Sequence, residues 1–442
     1  MLQTFPKGGV HPAENKFSAE KKITTLPLPK TVNIPLSQHI GAPAEVLVKR
    51  GDVVKTGEVI AKHRGFVSSN IHSSVSGKVL KVDKTLDSSG YKRISVTIEV
   101  DEDNWLSEID RSTDLKKEIT VSAEEIVNKT LDAGVVGMGG ATFPSHVKLS
   151  VPRGKKADLV ILNGVECEPF LTSDHRLMME KGEEIVIGLQ LIMKALNVKK
   201  GIIGIENNKP DAISHLKKIA EQYPDISVEA LKVKYPQGGE KQLIKALTGR
   251  EVPSGGLPID VGTVVHNVGT AFAIYEAIQK NKPLIERVVT VTGEDVKNPS
   301  NIMVRVGTPL EQLVESAGGV PGSTGKIVNG GPMMGKALNS LDVPVTKGTS
   351  GVLLFPETES KRKPIGPCIR CAKCISVCPM GLEPYLLMTL TEKEMLDRVE
   401  TEKALDCIEC GSCSYICPAN RPLLDYIRLG KLKVSQIIRN RK

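Results

Sequence analysis

The sequence predicts a multidomain chain of β and α/β modules that ends in a small helical, cysteine-rich one. Three observations predict it. Apolar residues alternate with period two from about Thr31 to Val100, strand-like and helix-like segments alternate from residue 120 to about 286, and eight of the nine cysteines lie beyond residue 367. A length of 442 residues allows two to four domains and a large core. Seven Phe, seven Tyr and one Trp are too few for a protein that grips single strands by stacking many bases. A net charge of +8 is too modest for a nucleic-acid binder unless it is concentrated. Forty Gly and 27 Pro predict frequent tight turns.

In the first module, VKRGDVVKTGEVIAK (Val48 to Lys62) and IHSSVSGKVLKV (Ile71 to Val82) resemble the barrel-sandwich fold of biotinyl and lipoyl carriers. A carrier has its modified Lys at the tip of a tight turn; here that place holds Phe66, so a structural or docking module is expected. Residues 101–119 are polar and aperiodic and read as a linker. Ser122 and Glu125 then form a capping box that opens an amphipathic helix through Ile126, Val127 and Leu131. That helix runs into GVVGMGGATFP (Gly134 to Pro144). Because this loop follows a helix and is spaced G-x-x-G-x-G-G, it is not the dinucleotide fingerprint that follows a strand. Its backbone N–H groups are free to face a phosphate or a flat ring, and an ordinary tight turn is the alternative.

ADLVILNGVECEP predicts a buried strand, Leu159 to Leu162, ending in a turn with Asn163, Glu166 and Glu168, the strand end at which α/β folds collect ligands. One helix is expected from about Arg176 to Leu196, then a strand Gly201 to Ile205, a helix Asp211 to Glu221 and a strand Ile226 to Val233. YPQGGEKQLIKAL puts Gly238 and Gly239 at a helix amino end suited to an anion. Such alternation argues a mostly parallel sheet. Residues 287–338 read as short strands with one helix, a small α+β module. Within it, GGPMMGKA (Gly330 to Ala337) mimics a P-loop but has Ala337 where a Mg²⁺-binding hydroxyl belongs, which argues against ATP hydrolysis.

CIRCAKCISVCP and CIECGSCSYICP both read C-x2-C-x2-C-x3-C-P, the bacterial [4Fe–4S] run. Three thiolates at two-residue spacing cap three irons of a cube, and the fourth comes from elsewhere. In two-cluster ferredoxins the last Cys of each run serves the other cluster. This assigns one cluster to Cys368, Cys371, Cys374 and Cys417, and the other to Cys407, Cys410, Cys413 and Cys378. A zinc ribbon lacks the third ligand of each run. The intervening EPYLLMTLTEKEMLDRVETEKAL reads as helical. No apolar stretch reaches the length of a membrane span. The richest, Ile185 to Leu196, is short and carries Lys194, and the amino terminus lacks an apolar signal core. A cytosolic protein, or one on the cytosolic face of a membrane, is expected. From Arg421 to Lys442 seven basic residues face one acid, Asp425, with Leu423, Leu424, Ile427, Leu432, Ile437 and Ile438 interleaved. Either a solvated tail or a segment docking on membrane subunits or an anionic leaflet follows.

GMGGATFP, NGVECEP, YPQGGEK and HNVGT, followed in order by the small α+β module and the two cysteine runs, carry a family resemblance. Over nearly its full length the chain resembles the C subunit of the Rnf-type ion-translocating ferredoxin:NAD oxidoreductase, and its centre is similar to the NADH- and FMN-binding flavin subunit of respiratory complex I. The resemblance implies an amino-terminal segment with a barrel-sandwich module at 1–100, an FMN- and NADH-binding α/β domain at 120–286, a β-grasp (SLBB-like) module at 287–345 and a double [4Fe–4S] ferredoxin module at 364–442. It implies that Gly137, Gly139, Gly140 and Lys148 line the FMN, that Asn163 and Glu166 hold the isoalloxazine edge, that Glu168 positions NADH and that Phe143 stacks on the nucleotide. Tyr235, Gly238, Gly239 and Glu240 join the cofactor site, with Asn267 and Thr270 at the flavin phosphate. His266, where the complex I relative tends to have a second Asn, and Lys241 after Glu240 depart from the pattern. Cys167 is either a small buried residue or a tuner of the flavin.

The reaction implied is hydride exchange between NAD(H) and non-covalent FMN, then single-electron passage through the clusters to a partner, with Glu166 and Glu168 acting by position and charge. The partners implied are an iron–sulfur subunit and integral membrane subunits of a bacterial complex, with this chain peripheral on the cytoplasmic side. The alternatives are the similar cobalamin reductase of bacterial microcompartments and a non-catalytic iron–sulfur relay subunit.

Overall fold

In the computed structural model, residues 2–87 and 89–441 are described. After strand β1 (Ile23–Thr25), the alternating segment forms β2 (Thr31–Pro35), β3 (Glu45–Val46), β4 (Val53–Val54), β5 (Val59–Lys62), β6 (Ile71–His72), β7 (Gly77–Leu86) and β8 (Lys92–Val100). They pair as two sheets, β2-β8-β7-β4 and β3-β5-β6. Because successive side chains of a strand point to opposite faces, every second one reaches a shared interior, here built from Val32, Ile34, Ile60, Ile71, Val79, Val96 and Ile98. The tip at Phe66 is docked: its carbonyl accepts from His146 Nε2 at 3.0 Å, and the two rings meet edge to face. Residues 101–119 form no helix, yet they are pinned. Arg111 and Arg305 sit over the Trp105 ring, and Asp110 takes the ammonium groups of Lys116 and Lys280.

The α/β domain follows as α1 (Ala123–Asp132), α2 (Ser145–Leu149), β9 (Leu159–Asn163), α3 (Ser173–Glu180), α4 (Gly182–Leu196), β10 (Gly201–Glu206), α5 (Pro210–Ala220), β11 (Ile226–Leu231), α6 (Glu240–Thr248), β12 (Thr263–Asn267) and α7 (Val268–Gln279). The capping box at α1 is present in both directions, Ser122 to Glu125 and back. All four strands run parallel in the order β11-β10-β9-β12. Val160 and Leu162 face a core shared with α1, α4, α5 and α7, while Leu159 and Ile161 face Leu243 and Ile244 of α6. The strands are therefore buried on both faces, which is why they are continuously apolar.

One sequence expectation fails here. The helix expected from about Arg176 to Leu196 is two helices, broken where Lys181 leaves helical geometry (φ −134°, ψ 31°). Gly182 permits the break, since a Cβ there would stand 2.8 Å from Ile219 and 2.9 Å from His215 of α5. Gly188 lets α4 approach α7 so closely that a Cβ would lie inside contact with the Ala271 carbonyl. Gly188→Ala is expected to destabilise the domain by about 2 kcal/mol, read as a lower midpoint in denaturant unfolding.

Next come β13 (Glu286–Gly293), β14 (Ser300–Arg305), α8 (Leu310–Ser316), β15 (Thr324–Asn329), β16 (Lys336–Leu338) and β17 (Gly351–Pro356). Their sheet, β1-β14-β13-β17-β15-β16, extends past the expected end at residue 345 and recruits β1 from the amino-terminal segment. After the short α9 (Glu357–Ser360), the carboxyl-terminal module consists of α10 (Lys373–Ser376), α11 (Pro384–Glu392), α12 (Leu396–Thr401), α13 (Ser412–Ile416) and α14 (Leu423–Asn440).

The basic carboxyl-terminal segment is α14, a helix packed on its module, so the expectation of a solvated tail does not hold. Leu423, Leu424 and Ile427 are buried against the module, Ile437 and Ile438 are half-buried, and only Leu432 of the apolar set is exposed. Its cations are mostly paired within the chain: Arg428 and Lys431 with Glu409, Lys433 with Glu394, and Arg441 with Glu400 and Asp397. Lys442 lies outside the described residues. The amphipathic pattern thus served internal packing, which sequence alone does not separate from a membrane-facing side.

Candidate functional site

Strands β9 and β12 end level with each other, so Asn163 and Asn267 are register partners at their carboxyl ends. Both side chains set loops in place. Asn163 accepts from Val165 N and donates to the Gly238 carbonyl at 2.8 Å. Asn267 caps α7 by accepting from Gly269 N and donates to Asp174 at 2.6 Å. The Gly-rich loop is drawn to the same corner, since the Thr270 hydroxyl accepts from Met138 N at 2.9 Å and the Phe143 carbonyl accepts from Gly137 N. Gly139 and Gly140 are exposed. Gly140 has φ +116°, and no protein atom lies within 4 Å of where its Cβ would be. This is an open cradle whose floor only glycine supplies.

Glu166 has φ 46°, an uncommon conformation for a non-glycine residue. Its carboxylate accepts from Asp174 N at 2.7 Å and His175 N at 3.2 Å, so it caps α3 instead of reaching outward. Glu168 is different. One carboxylate oxygen accepts from Met333 N at 3.0 Å, whereas the other, Oε1, is buried without a protein partner. Burial raises its pKa to about 7, against the pull of the Met333 and Met334 N–H groups. Asp174 is likewise raised to about 7, by burial and then by Glu166. His266 Nε2 is also buried and unpartnered, and burial holds the imidazole neutral with a pKa of about 3.

Lys148 donates to Glu240 at 2.7 Å and to the Val265 carbonyl at 2.9 Å, tying the helix after the Gly loop to the start of α6. Gly238 N donates to Cys167 Sγ at 3.3 Å, and burial pushes that thiol's pKa up, so Cys167 is a neutral packing residue. Tyr235, expected among the cofactor contacts, is buried with its hydroxyl donating to the Cys410 carbonyl at 2.8 Å. Its placement makes it a joint between the α/β domain and the second cysteine run.

The two cysteine runs fold alike. Arg370 and Ala372 in the first, and Glu409 and Gly411 in the second, all have positive φ, so each C-x2-C segment winds around its own thiols. Cys378 crosses over: with Cys407, Cys410 and Cys413 it lines one cavity, walled by Leu382, Leu424 and Ile427. Burial holds the Cys407 and Cys413 thiols up at about 11 and about 12. Four thiols converging in an apolar cavity become thiolates only around strongly cationic iron, so the residues fit an iron–sulfur cluster. Of the other four, Cys368 and Cys371 are exposed, and Cys374 and Cys417 half-buried.

Sequence reasoning missed four contributors. Asp174 carried a signal, lying shortly after NGVECEP in the first turn of α3. GGPMMGKA reads only as a failed P-loop; its Gly331 packs so tightly on the Glu168 carboxylate that no Cβ fits, and its Met333 carbonyl stands against Gly411 of the second cysteine run. Lys16 and Lys209 carried no local signal at all.

Profiles of known domains match in the same order. The RnfC barrel-sandwich hybrid domain matches residues 3–103, the Nuo51 FMN-binding domain 131–276, the SLBB domain 288–337 and a 4Fe–4S dicluster domain 362–418. The chain is 48% identical to the C subunit of the proton-translocating ferredoxin:NAD⁺ oxidoreductase complex of Clostridium ljungdahlii, over 97% of this chain and 93% of that one. It is 47% identical to the Na⁺-translocating counterpart of Acetobacterium woodii (97% and 96%) and 41% identical to the C subunit of the ion-translocating oxidoreductase complex of Rhodobacter capsulatus (98% and 84%). A chain of the NAD⁺-reducing [NiFe]-hydrogenase shares the fold at a TM-score of 0.50 and 20% identity, covering 71% of this chain and 62% of that one. Flavin and iron–sulfur domains thus stand on one polypeptide, and the chain belongs to the RnfC family, the C subunits of Rnf-type ion-translocating ferredoxin:NAD oxidoreductases.

Proposed function

We propose that the chain is the NAD(H)-reactive peripheral subunit of a membrane-bound ferredoxin:NAD oxidoreductase, with FMN at the Gly-rich corner and two [4Fe–4S] clusters in the carboxyl-terminal module. The observation that carries this reading is contiguity. Met333 donates its N–H to Glu168 and sets its carbonyl against Gly411, while Tyr235 reaches the Cys410 carbonyl, so the acidic turn and the second cysteine run share one wall.

Gly137, Gly139 and Gly140 leave the cradle open for the flavin. Lys148, Asn163, Asn267 and Thr270 hold its walls in register, and Phe143 and Glu168 are the side chains for the nicotinamide nucleotide. Glu166 acts by capping α3, which fixes the turn that presents Glu168. FMN supplies the conversion between the hydride chemistry of NAD(H) and one-electron carriers. Positioning is then the protein's task, and Glu168 brings a buried, unpartnered carboxylate oxygen to the wall it shares with Met333 and Tyr235. Cys407, Cys410, Cys413 and Cys378 hold the cluster on the flavin side. Cys368, Cys371, Cys374 and Cys417 hold the one near the surface, where a partner iron–sulfur subunit would meet it. No described helix is long and apolar enough to cross a membrane, so membrane attachment runs through the partner subunits on the cytoplasmic side.

Gly331→Ala is expected to displace the Glu168 carboxylate and to lower NADH-dependent flavin reduction about tenfold with unchanged iron content. The reading itself is tested on the purified chain replete with FMN and iron: NADH is expected to bleach the flavin absorbance under anaerobic conditions. A flavin that stays oxidised in excess NADH contradicts it.

A further inference from the structure

The amino-terminal segment before β1 precedes the barrel-sandwich strands and carries no motif, yet it is threaded through the molecule. Gln3 bridges to Leu231 of the parallel sheet, Gly9 N donates to the Val377 carbonyl within the first cysteine run, and Val10 bridges to Tyr235. Further on, Ser18 bonds Thr172, and its carbonyl accepts from Asn301 of β14. Between these anchors stands Lys16. Its ammonium donates to the carbonyls of Glu166, Glu168 and Leu171 at 2.9, 2.8 and 2.7 Å. From the other side Lys209, almost wholly buried, donates to the Val165 carbonyl at 2.8 Å. Four carbonyls of the acidic turn are thus satisfied by two ammonium groups, neither from the turn itself.

A turn that holds Glu166 at positive φ directs its carbonyls away from the sheet ladder, and those carbonyls need donors. We propose that Lys16 is a positioning residue: its ammonium fixes the backbone of the acidic turn and so sets where the Glu168 carboxylate stands. The proposal rests on the reading of that turn as the nucleotide-binding side. Burial, and then the repulsion of Lys209, press the Lys16 ammonium down to a pKa of about 8, against the pull of Glu166 and Glu206. The strap also contacts the cysteine module at Gly9, so the element that sets Glu168 is anchored to the electron-accepting side of the molecule.

The test compares Lys16→Met, which keeps the stem and removes the donor, with Ser18→Ala, an equally local loss in the same strap. Hydrogen exchange followed by mass spectrometry on the full chain is the first readout. In K16M the amides of residues 164–171 are expected to exchange at least tenfold faster while the cysteine module is unchanged, and in S18A they stay at the wild-type rate. Unchanged exchange at 164–171 in K16M, or faster exchange throughout the chain, would overturn the proposal. The second readout is NADH-dependent flavin reduction. K16M is expected to raise the KM for NADH about tenfold with kcat within threefold of wild type, and equal values in K16M and wild type would overturn it. Should the wild-type chain itself fail to react with NADH, the functional reading falls, and the exchange result still decides the role of Lys16.

Discussion

Cys378→Ser is expected to abolish the cluster of the downstream run, 407–413, and to leave that of its own run, 368–374, in place. The reason is the crossover at the end of the first run: the chain turns at Pro379, and Cys378 faces the cavity of Cys407, Cys410 and Cys413. Iron should fall from about eight to about four atoms per chain, and the surviving EPR signal should be the one that Cys371→Ser removes. Cys417→Ser is the reciprocal case and should spare the cluster of the second run. If Cys378→Ser instead costs the signal that Cys371→Ser costs, each run binds its own cluster and the crossover is wrong.

Glu168→Gln is expected to lower NADH-dependent flavin reduction about a hundredfold while leaving iron and flavin content unchanged. The substitution keeps the shape and an acceptor for Met333 N but removes the charge. Loss of iron would mean a structural role instead. The same residue predicts a pH effect whose sign is fixed by its raised pKa. In the folded chain burial favours the neutral carboxyl up to about pH 7, whereas in the unfolded chain it ionises in the ordinary carboxylate range. Its contribution to stability is therefore fully present below that range and lost as pH rises through about 7. Asp174 and Glu206, also raised to about 7 by burial, act in the same direction. Wild-type chain stripped of flavin should lose stability from about pH 5 to about pH 7, and E168Q should lose less. Equal losses in the two proteins would show that Glu168 does not titrate there.

Periodicity and spacing made much of this legible. The alternation at Val32 and Ile34, the capping box at Ser122 and the two cysteine runs are local patterns, each with a local physical cause, and each stands where it was expected. The ends of elements were less legible: the break at Lys181 depends on how closely α5 approaches Gly182, which the helical pattern across it conceals. Partnership between distant segments was not legible at all. Lys16 lies about 150 residues before the carbonyls it serves and sits in a polar stretch with no period. The resemblance put Tyr235 and Glu240 among the cofactor contacts, and no local pattern announced the bonds their side chains make to the Cys410 carbonyl and to Lys148. The basic helix at the end had the composition of a membrane-binding segment, and only its packing against α11 shows what its apolar side covers.

In the proposed function, one polypeptide connects nicotinamide chemistry to two iron–sulfur clusters through a flavin. This connection is tested most directly by reducing the clusters of the purified, FMN-replete chain electrochemically and then adding NAD⁺ under anaerobic conditions. The EPR signals of the reduced clusters are expected to disappear, with one NADH formed for each pair of electrons lost. Clusters that stay reduced in the presence of NAD⁺, with the flavin bound, would contradict it.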